Sequence, residues 1–172
     1  FRNGQLLPVV ASVLQRHGLS AERMLIEITD GAVLDDCPPA LENTRALQAL
    51  GIRLSMDDFG TGYSSLTHLA KLPVTELKID RSFVTDLEQS ASARTLVTAV
   101  IGIGRSLGLT VVAEGVETES QRRFLTELDC DVLQGFLFSR ALPAEDFERW
   151  LTTRPAGVAS EAAAGRGSAS AA

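Results

Sequence analysis

The sequence predicts an α/β fold of parallel βαβ units, the pattern of a (β/α) barrel or a doubly wound sheet. Three observations carry this. Short apolar strands alternate strictly with amphipathic helices, several helices are stopped by a glycine just before the next strand, and almost every strand ends on an ionisable residue.

Leu6, Val10, Val13 and His17 share one face of a first helix, which Gly18 terminates, and Met24 to Ile28 follow as a strand. Pro38 and Pro39 open a second helix carrying Leu47 and Leu50. Gly51 stops it before the strand Ile52 to Met56. Ser64 and Ser65 are N-cap types for a short helix, and Glu76 to Asp80 form the third strand. The longest helix has Leu96, Val100, Ile103 and Leu107 at helical spacing and ends at Gly108, ahead of the strand Leu109 to Ala113. Thr118 and Gln121 make a capping box for a helix with Phe124, Leu125 and Leu128. Asp131 to Leu133 is the last strand, and Pro143 starts a helix with Phe147, Trp150 and Leu151. From Pro155 onward the chain is Ala, Gly and Ser without apolar periodicity, so residues 155–172 read as a disordered tail.

Composition narrows the function. The formal net charge of -6 argues against a polymeric nucleic-acid partner, whose binding needs Lys and Arg to displace counterions. Cys37 and Cys130 form no CxxC pair, and no signal peptide or membrane-length apolar run is present, so a cytoplasmic setting is expected. No GxGxxG follows the first strand, which weighs against dinucleotide binding. Five strands cannot close an eight-stranded barrel, so a barrel implies about three strands upstream of Phe1.

In parallel α/β folds chemistry gathers at the C-terminal strand ends. Here those ends read Glu27, Asp57 with Asp58, Lys78 with Asp80, Glu114 with Glu117, and Gln134. A single acid closing a strand is ordinarily a solvated turn residue; several on successive strands point to one rim. Carboxylates brought together there repel unless cations neutralise them, and oxygen donors suit Mg²⁺ or Mn²⁺. The adjacent Asp57 and Asp58 suit a pair of ions, the device that drives in-line attack of water on a phosphodiester. Lys78 would then orient the water or steady the phosphate. His17, His68 and both cysteines are assigned no role. The Gly-x-Gly at Gly60 and Gly62 reads as a flexible loop that couples the rim to its surroundings.

Taken together, the strings IEITD (residues 26–30), DDFGTGYSSL (57–66), LKID (77–80), AEGVET (113–118) and QGF (134–136) resemble the EAL domain. Members of this bacterial signal-transduction family linearise cyclic-di-GMP to pGpG. The resemblance spans about Phe1 to Trp150 and implies a TIM-type (β/α) barrel, with residues 1–154 as a partial EAL domain truncated at the N-terminus. It implies Glu27, Asp57 and Asp58 as metal ligands. It also implies Glu114 as general base and Lys78 acting beside it on the water. Asp80, Glu117 and Gln134 are supporting positions by the same resemblance, and Asp30 braces the Gly-rich loop. The implied partners are cyclic-di-GMP, a second copy through the Gly-rich loop region, and an upstream sensor or GGDEF domain, with membrane anchoring of the parent open.

The departures matter as well. The Glu-Ala-Leu signature, the family's metal-binding Asn and its substrate-gripping Arg are absent, Asp30 stands for the commoner Glu, and Ala141 for Pro. A catalytically impaired module that binds cyclic-di-GMP or a protein partner is therefore the alternative to an enzyme. Enolase-like proton abstraction is a third and weaker reading. The fragment alone is expected to be poorly stable, since an unclosed sheet leaves two edges exposed.

Overall fold

A computed structural model describes residues 6–29, 38–60 and 66–153. The elements are α1 (Leu6–His17), β1 (Leu25–Thr29), α2 (Pro38–Ala49), β2 (Arg53–Phe59), α3 (Leu66–Leu69), β3 (Glu76–Ile79), α4 (Arg81–Thr85), α5 (Ala91–Ser106), β4 (Thr110–Ala113), α6 (Glu119–Glu127), β5 (Val132–Leu133) and α7 (Ala144–Thr153). Single 3₁₀ turns lie at Ala21–Arg23 and Asp86–Glu88.

All five strands are parallel and stand in the order β1-β2-β3-β4-β5. A doubly wound sheet reverses its strand order at a switch point. This sheet never does, so it is an arc of a (β/α) barrel.

The register explains how one sheet serves two purposes. Ile28, Met56, Leu77 and Val111 lie in register across four strands, and each is at most 2% exposed. With Leu54, Ile79 and Ala113 they form the apolar face, joined in one core to Leu47, Val97, Ile101 and Leu125 of the helices. The alternate residues form the other face, where Glu27, Ser55, Glu76 and Thr110 are in register and Lys78 pairs with Val112. Period-two alternation thus sends oil to the helices and polar groups to the opposite side.

The predicted elements are found within a residue or two, except that β2 runs three residues past Met56 to Phe59, and Gly18, Gly51 and Gly108 do take the left-handed conformation at helix ends, with φ of 61, 89 and 71°. Three helix faces differ from expectation. In α5 the buried stripe is Ala93, Val97, Val100, Ile101 and Gly104, while Leu107 lies past the helix and is exposed. In α1 the buried residues are Val10 and Leu14, and Val13 and His17 face solvent. Leu50 lies beyond α2 and is exposed. Leu107 and Leu50 lie in the turns that lead into the strands and are carried off the packed face, whereas Val13 lies inside α1, whose packed stripe steps by four residues from Val10 to Leu14 and passes it by. Close approach decides α5 in particular: a Cβ on Gly104 would collide with Val111 Cγ2, so the helix sits on β4 at its glycine.

The short helix α4 escaped the sequence reading; Asp80 caps it, its carboxylate accepting from the Ser82 amide at 3.0 Å. The capping box of Thr118 and Gln121 is present with both reciprocal bonds. Asp30, Cys37, the loop 61–65 and the tail 155–172 lie outside the described residues. Among the described residues no helix is long and apolar enough to cross a membrane.

Candidate active site

The polar face culminates at the C-terminal strand ends, and its centre is Lys78. The Nζ of this β3 lysine donates to Glu27 Oε1 of β1 at 2.6 Å. It also lies 2.7 Å from Glu114 Oε1, just past β4, and 3.1 Å from Asp57 Oδ1 of β2. Four strands therefore deliver one cation and three carboxylates to a single point. The lysine side chain is only 7% exposed, against 20% for Asp57 and Glu114 and 48% for Glu27. Burial by itself would lower the lysine pKa. The contacts to Glu114, Glu27 and Asp57 outweigh it and hold the ammonium above the ordinary lysine range. Lys78 is consequently a fixed positive charge and cannot serve as a base near neutral pH.

Asp57 and Asp58 depend on an irregularity. Between Met56 and Phe59 the β2–β3 register shifts, so that Met56 pairs with Leu77 and Phe59 with Ile79. Three steps on β2 match two on β3, which is a β-bulge, and Asp58 absorbs it in the left-handed region at φ 56°. In a regular strand consecutive acids project to opposite faces. Here Asp58 still feels the site. Its pKa is raised by partial burial and by the charges of Asp57, Asp80 and Glu27, with Lys78 opposing. Bulges beside functional sites commonly re-aim a side chain in this way.

The other expected residues take supporting geometry. Asp80 is occupied as the α4 cap, receiving the Ser82 amide and hydroxyl at 3.0 and 2.5 Å. Burial would raise its pKa, but these bonds and the Arg81 amide and charge hold it below the usual carboxylate value. Glu117 and Gln134 are exposed at the rim. The Glu117 amide bonds to Gln121 Oε1 at 2.8 Å. The Gln134 backbone bridges Ala113 O and the Val116 amide at 2.9 and 3.0 Å. A Cβ on Gly135 would run into the Val116 backbone, so the chain after β5 presses directly on the turn that carries Glu114 and Glu117.

Sequence reasoning missed two contributors. Asp131 Oδ2 accepts from the Val111 amide at 2.8 Å and joins the base of β4 to the entry of β5. Ser55, on the polar face two residues before Asp57, is fully buried, and its Oγ has no hydrogen-bond partner. Period-two counting from Asp57 was the signal available for Ser55.

The donor chemistry of Glu27, Asp57 and Asp58 is all oxygen, as a hard divalent ion requires. Asp57 Oδ1, buried and without a hydrogen bond, retains donor capacity, its 3.1 Å approach to Lys78 being ionic. By number the set falls short: among the described residues no three His, Cys, Asp or Glu side chains are placed to hold one ion. The ammonium of Lys78 occupies the point where the carboxylates meet. These residues fit part of a metal shell and do not complete one.

Comparison with known proteins bears on the family and the fold. The model of the family described as the EAL domain matches residues 1–141. The chain is 45% identical over 145 residues to the bifunctional diguanylate cyclase/cyclic di-GMP phosphodiesterase MucR of Pseudomonas aeruginosa. That match covers 84% of this chain and 21% of MucR, so the chain spans about a fifth of its relative's length. The solved PaMucR phosphodiesterase in complex with c-di-GMP superposes with a TM-score of 0.81 at 44% identity, covering 84% of this chain and 59% of that one. The manganese and cyclic-di-GMP complex of Klebsiella pneumoniae BlrP1 gives a TM-score of 0.74 at 34% identity, covering 80% of this chain and 35% of that one.

Proposed function

The chain belongs to the EAL domain family, and from that premise we propose that it contributes the greater part of a cyclic-di-GMP phosphodiesterase site that releases linear pGpG. The observation that carries the reading is the convergence of Glu27, Asp57 and Glu114 on Lys78 from four strands. It assembles paired acids and one fixed cation on the polar face of a barrel arc, as phosphodiester hydrolysis needs.

In this reading Glu114 takes the proton of the attacking water. The Lys78 ammonium, 2.7 Å away, holds its carboxylate in place. Lys78, unable to give up its own proton, steadies charge on the phosphate and aligns Glu114. Glu117 and Gln134, exposed at the same rim, are positions for nucleotide contact, and Asp80 secures α4 behind Lys78. Glu27, Asp57 and Asp58 are the residues of this chain that would ligate Mg²⁺ or Mn²⁺, two ions by analogy with paired-metal hydrolases. The remaining ligands come from outside the described residues. A bound divalent ion would supply positive charge at the phosphodiester oxygens.

The setting that goes with this function is a bacterial cytoplasm, downstream of a sensor or GGDEF domain, with homodimer formation through the Gly-rich loop region. The incomplete metal shell favours a second reading for the chain by itself, a module that binds cyclic-di-GMP without cleaving it. Calorimetry and product chromatography with Mg²⁺ or Mn²⁺ separate the two. The enzyme reading expects pGpG once the strands that the resemblance places upstream are supplied. Nucleotide binding with no pGpG from that extended protein would establish the regulatory one.

A further inference from the structure

Gln121 is 5% exposed and, among the described residues, one of few buried polar side chains. A capping box asks of it one bond, back to the Thr118 amide, which it makes at 3.0 Å. It makes two more. Its Oε1 also accepts from the Glu117 amide at 2.8 Å, and its Nε2 donates to Val84 O of α4 at 3.1 Å. Three of the four bonds that a primary amide can form are thus engaged in a buried setting.

The two extra bonds have a particular address. One fixes the backbone of Glu117, in the turn that carries Glu114. The other reaches the helix that follows Lys78 and Asp80. That turn and α4 are already pressed together. Gly115 takes φ 72°, and a Cβ there would lie 2.6 Å from Arg81 Cβ. The turn is also held by backbone bonds, from the Glu114 amide to Ile79 O at 3.1 Å, from the Val116 amide to Gln134 O at 3.0 Å and from the Leu137 amide to Val116 O at 3.0 Å, and Thr118 at its end donates its Oγ1 to Glu88 Oε1 at 2.6 Å. Gln121 adds a side-chain tie between the two segments that bring Glu114 and Lys78 face to face.

We propose that Gln121 is a positioning residue of the phosphodiesterase site, locking the Glu114–Glu117 turn against α4 so that Glu114 meets Lys78. The inference rests on the phosphodiesterase reading for its kinetic consequence, though not for its geometric one. Gln121 touches no reacting atom and acts through Glu114 and Glu117.

Two variants of the extended, metal-supplied protein test it. Gln121→Met keeps length and loses all three bonds; Gln121→Glu keeps both accepted bonds and loses the donation to Val84. For Gln121→Met the expected result is a fall in kcat of about tenfold or more with KM within about twofold, and for Gln121→Glu a smaller fall. In the crystal structure of Gln121→Met, Glu114 should withdraw from Lys78 beyond ion-pair distance while the Lys78–Glu27 contact persists. A purely structural cap would not move one contact and spare the other. Wild-type kcat, or an intact Lys78–Glu114 contact, overturns the proposal. If the wild-type protein itself releases no pGpG, the phosphodiesterase reading fails separately, and the Lys78–Glu114 contact still decides the placement. If Gln121→Met does not fold, Gln121→Glu decides: a kcat lowered about threefold or more supports the tie, and an unchanged one refutes it.

Discussion

Lys78 Nζ and Glu114 Oε1 stand 2.7 Å apart across the β3–β4 boundary, with the lysine nearly sealed from water. The same nitrogen holds Glu27 and approaches Asp57, so the rim's acids are organised by one cation. Electrostatics inside a poorly solvated site is strong enough for this arrangement to matter to stability.

Removing that cation should leave three carboxylates facing one another. Lys78→Met is expected to destabilise the protein by about 2–3 kcal/mol, less than for a fully buried pair because the partners are partly solvated. The urea midpoint of unfolding checks it. The pH dependence follows from the raised lysine pKa. Its stabilisation is complete below the unfolded value of about 10.4 and is lost as pH rises through the higher folded value. Wild type should therefore lose stability at strongly alkaline pH to an extent that Lys78→Met does not.

Asp58 shifts in the same direction but titrates in the acid range, so at neutral pH its stabilisation is already gone. Its folded pKa is raised, so its stabilisation is present only below the ordinary carboxylate range and is lost as pH rises through the folded value. Asp58→Asn, which tolerates the left-handed backbone at φ 56°, should stabilise the metal-free protein at pH 7 by up to about 1 kcal/mol while impairing hydrolysis. The gain should vanish below about pH 4, where Asp58 is protonated. Thermal melts at the two pH values, in the presence of a chelator, are the measurement.

The contact of α5 with β4 admits a packing test. Gly104→Ala drives a methyl into Val111 and should cost about 1–3 kcal/mol. Pairing it with Val111→Ala should cost less than the sum of the two single changes. Strict additivity in denaturant melts would mean that helix and strand do not meet at this glycine.

Cys130 offers a chemical probe of the same region. Burial pushes its thiol up to about 11, and Sγ lies 3.5 Å from Val111 O. At pH 8 it should resist alkylation until the protein unfolds, which mass mapping of iodoacetamide adducts will show. Rapid labelling of folded protein at Cys130 would contradict the packing of β4 and β5.

Much of this was legible in the sequence because period-two and helical patterns name the elements, and strand ends name the rim. Glu27, Asp57, Lys78 and Glu114 were identifiable as one set on that basis. What the pattern could not encode was local three-dimensional contact. Nothing in residues 53–59 announces the bulge that puts two adjacent acids near one site, since Asp58 is as compatible with a regular strand as with the left-handed region. The helix faces of α1 and α5 slipped for different reasons: turn geometry removes Leu107 from the packed side, while the α1 stripe steps from Val10 to Leu14 and passes over Val13. Gln121 was visible only as half of a cap, because a partner 37 residues away, Val84, leaves no local trace.

The most direct test of the central claim is pGpG release from cyclic-di-GMP by the extended protein, wild type beside Glu114→Gln, with Mn²⁺ or Mg²⁺ and with chelator. The account requires metal-dependent product from wild type and a loss of about a hundredfold or more in Glu114→Gln, the scale of a missing general base. Equal rates in the two proteins, or product undiminished by the chelator, would contradict it.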